Sequence, residues 1–351
     1  MSARVSRREW LARVGRAAVT APFVGLSACA LDGPPAHALV LEGPTMGTRY
    51  RVTVPAAARV RDEDALGAEL RAVLDGVDGR MSTYRPDAEL ARFNAAASTA
   101  WFDVSDETRE VVEQAVAVAR GSGGAFDPTV GPLVDLWGFG PEARTGRPPA
   151  PAAVAARRRA VGVEHLETRG TPSQLRKHRP DVRLDLSGIA KGHALDRLAA
   201  CLDARGLRAY LVDVGGELRA RGERAPGAPW RVGIERPVPG ATDLVATLAL
   251  GDEALATSGD YRQFFDAGGR RYCHLIDPRR GAPVDHDLAA VTVVARDGAE
   301  ADAWATALMV LGPDAGEARA RARGLAALFV VRAAGAMVLR TTPELDRRRL
   351  G

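Results

Sequence analysis

Asp185-Leu186-Ser187-Gly188-Ile189-Ala190-Lys191-Gly192 brings together residue types that can hold a phosphate. The alternating run Val182 to Leu186 predicts a strand. Ser187-Gly188 predicts a tight turn, and Ile189 to Ala204 a helix with Gly206 as its C-cap. Small residues between a strand and a helix leave backbone N–H groups aimed at one spot, and the positive end of the helix dipole attracts anions there. Lys191 falls in the first turn. It is one of only two lysines, with Lys177, in a chain that otherwise uses arginine, which fits a need for a compact point charge. The same local pattern also fits an ordinary strand-turn-helix with a solvated lysine. It is not the G-x-x-x-x-G-K-[ST] phosphate loop.

The elements that must position this stretch follow from periodicity and punctuation. Leu39 to Val54 predicts a strand pair with its turn at Gly43-Pro44. Asp64 to Leu74 predicts an amphipathic helix, residues 81–86 a loop, and Ala88 to Asn94 a short helix. Asp106 to Gly121 reads as a helix capped by Asp106 and ended by Gly121, followed by a turn at residues 123–127. Helices are expected over Val130 to Trp137, Ala152 to Val161 and Ala299 to Leu311. Residues 138–152, rich in Gly, Pro and Arg, predict a mobile surface loop. Strands are expected near 182–187, 209–214 and 230–235. Ala254 to Phe265, Tyr272 to Ile276 and Ala289 to Val294 add strands and a turn, and Leu325 to Val331 with Ala336 to Arg340 a hairpin. There is no internal repeat. The order is neither regular βαβ nor all-β, so the expected class is α+β, with mixed, mostly antiparallel sheets packed against helices in two interleaved subdomains.

The N-terminus reads as an address. Ser6-Arg7-Arg8-Glu9-Trp10-Leu11 resembles a twin-arginine export signal, and the weakly apolar stretch Ala17 to Ala28 is too short to span a bilayer stably. Leu26-Ser27-Ala28-Cys29 resembles a bacterial lipobox, which would make Cys29 the lipidated N-terminus of the mature chain and hold it on a membrane. The expected organisation is a signal over 1–28, a spacer over 29–38 beginning at lipidated Cys29, one domain over 39–342 and a tail over 343–351. The expected location is the bacterial cell envelope, facing the periplasm. Residues 1–28 hold five arginines and one glutamate, so removing them from 48 basic and 44 acidic side chains leaves 43 of each. A formally neutral mature chain gives no support to nucleic-acid binding. Its length of about 320 residues suffices for a large core. Cys201 and Cys273 lack metal-type spacing and read as two small buried thiols, although an exported compartment permits a disulfide.

The remaining motifs come in a definite order. They are Thr45-Met46-Gly47-Thr48, Met81-Ser82-Thr83-Tyr84-Arg85, the run from Gly124-Ala125-Phe126-Asp127-Pro128 to Val134, and Leu136-Trp137-Gly138-Phe139-Gly140. Asp185 to Gly192 follows, then Val212-Asp213-Val214-Gly215-Gly216 and Ala256-Thr257-Ser258-Gly259-Asp260-Tyr261. The last are His274-Leu275-Ile276-Asp277-Pro278 and Glu300-Ala301-Asp302-Ala303-Trp304-Ala305-Thr306-Ala307-Leu308. Each is weak alone. Together, over residues ~40–340, the set resembles the FAD:protein FMN transferase family, also called ApbE or thiamine-biosynthesis lipoproteins.

That resemblance implies a site. Asp302 and Thr306, four apart on one helix face, would hold Mg²⁺ as hard oxygen ligands. The family's third ligand is a backbone carbonyl of the Asp-Leu-Ser-x turn, here Gly188. Met46 and Tyr84 would cover the flavin ring system, Ala125, Phe126 and Asp127 would lie against the nucleotide, and Asp185, Lys191 and Ile276 match FAD-contacting positions. Lys191 stands where some relatives carry glutamate. His274, beside the Ile276 motif, is a candidate general base, with Asp277 as a competitor. Thr257 and Ser258 could donate to ligand phosphate or complete a turn.

The implied reaction is phosphoryl transfer. A threonine or serine hydroxyl of an acceptor flavoprotein, such as a subunit of a membrane electron-transfer complex, attacks the FMN-side phosphorus of FAD, and AMP leaves. FAD is then a substrate. Two other readings use the same residues: a Mg²⁺-dependent FAD pyrophosphatase, with water as attacker, and a lipoprotein that binds flavin without chemistry.

Overall fold

The computed structural model describes residues 28–31, 33–35, 37–141, 146–241 and 243–348. Residues 1–27 of the expected signal (1–28), the centre of the expected loop, residues 142–145, and residues 349–351 of the expected tail (343–351) lie outside them. Eight strands form the main sheet, in the order Ala336–Thr341, Ala326–Ala333, Leu288–Ala295, Ala254–Gly259, Glu217–Arg221, Tyr210–Val214, Thr48–Val54 and Leu39–Thr45. All its pairings are antiparallel. The class is α+β.

Side chains alternate across a strand, so a sheet covered on both faces sends neighbouring residues into different cores. Ala254, Ala256, Val291, Val293, Ala327 and Phe329 pack with the helices. Leu255, Ala290, Val294, Ala326 and Leu328 pack on the other face against Trp230, Val232 and Leu248. These belong to a three-stranded sheet of Ala28–Ala30, Trp230–Glu235 and Leu244–Leu250. The molecule is therefore layered as helices, main sheet and small sheet. Among the described residues no helix is long and apolar enough to cross a membrane.

Several elements differ from the sequence reading. The first hairpin turns at Met46-Gly47, not Gly43-Pro44, because Thr45 pairs with Thr48. Both turn residues have positive φ, 45° and 72°, as a two-residue turn needs to match strand twist. Helix Glu63–Met81 starts at Asp62, whose side chain accepts from Ala65 N, and continues past Leu74 because Val77 and Met81 extend its buried stripe. Helix Asp106–Ser122 is capped by Ser105, not Asp106, and ends at Gly123 in the left-handed conformation. Residues 182–187 join no sheet and make only an isolated parallel bridge, Val130 to Arg183. Their polar backbone is met otherwise: the Asn94 side chain accepts from Leu184 N at 2.7 Å and donates to Leu184 O at 2.8 Å. Helix Pro313–Arg323 and strands Leu166–Gly170, Ser173–Lys177 and Leu244–Leu250 lie outside the predicted set. After residue 342 the chain forms the short helix Pro343–Asp346, with Leu345 fully buried.

Candidate active site

The site is built where helices Ala190–Ala204 and Gly298–Leu311 cross. A Cβ on Gly192 would lie 2.1 Å from the Gly298 carbonyl oxygen, and one on Gly298 would lie 2.3 Å from that of Gly192. Only two glycines permit this approach. The crossing lets each helix cap the other. Asp302 Oδ2 accepts from Gly192 N at 3.0 Å. Asp196 accepts from Gly298 N at 2.7 Å and from Ala299 N at 3.0 Å. Orphan N–H groups of both first turns are thus satisfied by carboxylates of the opposite helix.

Asp302 is buried, and its Oδ1 carries no hydrogen bond among the described residues. Burial pushes its carboxyl up to about 6, with Lys191 opposing and Glu217 adding to the shift. One turn on, the Thr306 hydroxyl lies 3.1 Å from Ser258 Oγ and 3.1 Å from where a Gly188 Cβ would stand. Phe126 is packed against the same point, 3.2 Å away. Asp302, Thr306, Gly188, Phe126 and Ser258 therefore meet. Strand alternation divides the Thr257-Ser258 pair: Ser258 faces the helices, whereas buried Thr257 bonds Thr292 at 2.8 Å and contributes nothing to the site.

Lys191 does not stand free to receive a phosphate. It forms an ion pair and hydrogen bond with Glu217, which is buried and keeps Oε2 without a partner. Gly192 N, one of the helix-end groups expected to attract an anion, is already taken by Asp302. Lys177, the other lysine, is structural: it is buried and donates to Phe93 O at 2.9 Å.

His274 is half-buried. Its backbone N and ring Nδ1 both lie against Gln263 O, at 3.0 and 3.2 Å. Nδ1 therefore carries the proton as donor, and Nε2 keeps its lone pair. Burial lowers the ring's pKa to about 4, with the Arg262 and Lys191 charges acting the same way, so the ring is neutral at pH 7. Asp277 is less available as a base. Its Oδ1 accepts from Arg279 N and Nε and its Oδ2 from Arg279 Nη2, each at 2.9 Å.

The flavin-directed positions are placed unequally. Exposed Tyr84 donates to Phe139 O at 3.1 Å, and the Phe139 ring lies edge-on to His274 at 6.5 Å, so Phe139 adjoins both. Met46 holds the hairpin tip, and the following Thr48 touches Gly215. A bulky residue with positive φ there is strained, a feature common at ligand sites. Ala125 is buried beside Phe126. Asp127 Oδ1 accepts from Thr129 N and Oγ1 at 2.8 and 2.6 Å, and burial raises its pKa. Asp185 Oδ1 accepts from Ser187 N at 2.8 Å. Both acids shape the turns that carry the loop. Ile276 packs with Leu133, Trp137 and Phe139 in a separate small core. Cys201 and Cys273 are both free thiols.

The sequence pattern of the ApbE family matches residues 46–329. The chain belongs to that family. It is 41% identical over 298 residues to a Vibrio cholerae protein named FAD:protein FMN transferase, covering 85% of this chain and 89% of the relative. It is similar to the structure of the flavin transferase ApbE from Vibrio cholerae, with a TM-score of 0.82 at 40% identity over 89% of this chain and 99% of the other. The apo flavinyl transferase ApbE of Pseudomonas stutzeri gives a TM-score of 0.81 at 39% identity, over 89% and 96%.

In this ApbE chain the sequence reading passed over three charged residues: Glu217, Arg262 and Asp196. Glu217 follows the Gly215-Gly216 turn directly, and a carboxylate opening a strand on the helix-covered side was its available signal. Arg262, after Tyr261, sends its charge to Asp302, Asp213 and His274. Asp196 carries no local signal, since its role exists only across the helix crossing.

Proposed function

We propose that this protein is a FAD:protein FMN transferase that moves FMN from FAD to a threonine or serine hydroxyl of an acceptor flavoprotein, releasing AMP. The observation that carries the reading is the meeting of Asp302, Thr306, Gly188 and Ser258 at the helix crossing, with Lys191, Arg262 and neutral His274 near by. The relatives' shared name, over nearly the whole chain, supports it.

Mg²⁺ is part of the proposal. Among the described residues no group of three or more His, Cys, Asp or Glu side chains could hold a metal. The donor set nevertheless fits a hard cation: one carboxylate with an unbonded oxygen, a hydroxyl one turn away and a glycine backbone against it. Asp302, Thr306 and the Gly188 carbonyl would hold the ion, which when bound would neutralise charge on the pyrophosphate.

The chain's own residues do the remainder. Met46 and Tyr84 would cover the flavin ring system, and Phe126, with Ala125 and Asp127, would lie against the nucleotide. The acceptor hydroxyl oxygen forms a bond to the FMN-side phosphorus as the bridging P–O bond breaks, and AMP leaves with that oxygen. The hydroxyl proton passes to His274 Nε2, whose lone pair is kept free by the Nδ1–Gln263 bond. AMP is a good leaving group, so positioning and charge supply most of the rate.

Incubating the protein with FAD, Mg²⁺ and an acceptor should add one FMN mass to the acceptor and release AMP faster than without it. AMP released equally fast in the absence of acceptor would make the protein an FAD pyrophosphatase instead. The reading extends to location: the twin-arginine and lipobox patterns support export and lipid anchoring through Cys29, with the acceptor in a membrane electron-transfer complex. Intact mass of membrane-fraction protein should show residues 1–28 removed and lipid added.

A further inference from the structure

Arg262 has a side chain without a carboxylate. Its Nη1 donates to Gly215 O at 3.4 Å, while Nε and Nη2 are buried and meet no hydrogen-bond partner. These two N–H groups lie on one edge of the guanidinium and point in parallel, the arrangement that grips two oxygens of a carboxylate or phosphate. The chain shows what a filled fork looks like close by. Arg332 Nη1 and Nη2 each reach Asp260 at 2.7 Å, which removes the acid nearest to Arg262 in sequence. Asp213, which feels the Arg262 charge, spends Oδ1 on Gly216 N at 2.8 Å. Buried donors left without a partner are destabilising, so a desolvated fork calls for an occupant from outside the chain.

The surroundings say what that occupant is. The Arg262 charge acts on Asp302, on the helix that would hold the metal, and on His274. Lys191 is already answered by Glu217. Among the described residues near Asp302, Arg262 is thus a cation left unpaired to meet an incoming anion. Gly215, its anchor, touches Thr48 in the Met46 hairpin, so Arg262 is tied both to the hairpin proposed to cover the flavin and, through its charge, to Asp302 of the proposed metal site. In FAD, the group between the flavin and the adenosine is the pyrophosphate.

We infer that Arg262 binds the pyrophosphate of FAD, taking phosphate oxygens on its Nε–Nη2 edge while Nη1 remains on the Gly215 carbonyl. The inference rests on the transferase reading for its ligand. Arg262 then fixes the dinucleotide independently of the metal and discriminates FAD from flavins that lack phosphate.

The test is binding, measured calorimetrically with the full chain in EDTA, using FAD and riboflavin as probes. Arg262→Ala should weaken FAD binding about 10- to 100-fold and leave riboflavin unchanged. Arg262→Lys, which keeps the charge and loses the fork, should recover only part of the loss. Equal FAD affinity in wild type and Arg262→Ala would overturn the inference. So would an equal loss for FAD and riboflavin, which would mean that Arg262 merely supports the Gly215 turn. If Arg262→Ala does not fold, Arg262→Lys decides alone: an unchanged ratio of FAD to riboflavin affinity overturns the inference, and a reduced ratio supports it. A wild type that binds FAD through Arg262 yet transfers no FMN keeps this inference and removes the transferase reading.

Discussion

The two ends of the helix crossing use the same device to different effect. Asp196 and Asp302 each reach across to cap the other helix, and both are pushed up by burial. Asp196 is saturated: two backbone N–H groups and Arg219 Nη1, at 2.6 Å, occupy its oxygens. Asp302 is half-used, with one backbone N–H on Oδ2 and Oδ1 open. A saturated carboxylate has nothing left for a ligand, and a half-used one is already positioned and only partly satisfied. What separates structure from function here is the remaining hydrogen-bonding capacity of two otherwise matched groups.

The largest effect should come from Asp302→Asn. The amide oxygen can still accept from Gly192 N, so the melting temperature should stay within a few degrees, while FMN transfer falls by about a thousandfold or more because the carboxylate charge is gone. Near-normal transfer by this folded variant at limiting Mg²⁺ would end the distinction. Asp302→Ala should lose activity to the same extent and also about 1–2 kcal/mol of stability through the missing cap.

His274→Gln should reduce turnover about a hundredfold. At saturating Mg²⁺, where the proposed ion would keep Asp302 ionised, wild-type kcat/KM should hold as pH falls from 7 toward 5 and drop only as pH passes through the His274 value of about 4, where the base gains its proton. A limb near 6.5 in the pH profile would show that the half-buried, cation-flanked setting does not govern this ring.

Asp196→Ala should reverse the pattern seen for Asp302→Asn. Two helix-end donors and Arg219 lose their acceptor, at a cost of about 2–4 kcal/mol in urea unfolding, while transfer per folded molecule changes less than about threefold. A large activity loss with unchanged stability would contradict the assignment of Asp196 to the scaffold. The smallest contrast lies within one dipeptide. Ser258→Ala should lower turnover by about fivefold through the Thr306 hydroxyl, and Thr257→Val should leave it unchanged, costing about 1 kcal/mol of stability. Equal effects on turnover would mean that strand alternation does not separate the two.

Much of the scaffold was legible. Helix Gly298–Leu311 and the terminal hairpin follow their periodicity closely. The misses share a cause. Residues 182–187 have a strand's pattern and no strand beside them, because Asn94 and Pro128 meet their backbone groups. The turn at Met46-Gly47 was passed over because Met rarely takes positive φ, so Gly43-Pro44 gave the stronger local signal.

The sequence by itself determined the directions: that Asp302 and Thr306 share a helix face, and that Gly188 lies in the turn just before the Lys191 helix. Spacing along an element decides these, because helix and strand periods are fixed by backbone geometry. Only the tertiary structure decided which polar groups remain unspent. Lys191 went to Glu217, Asp196 to the opposite helix end and Asp277 to Arg279, while Asp302 and Arg262 kept open valences. Partners of this kind come from distant parts of the chain and are set by which elements pack together, and the Gly192–Gly298 crossing fixes that here.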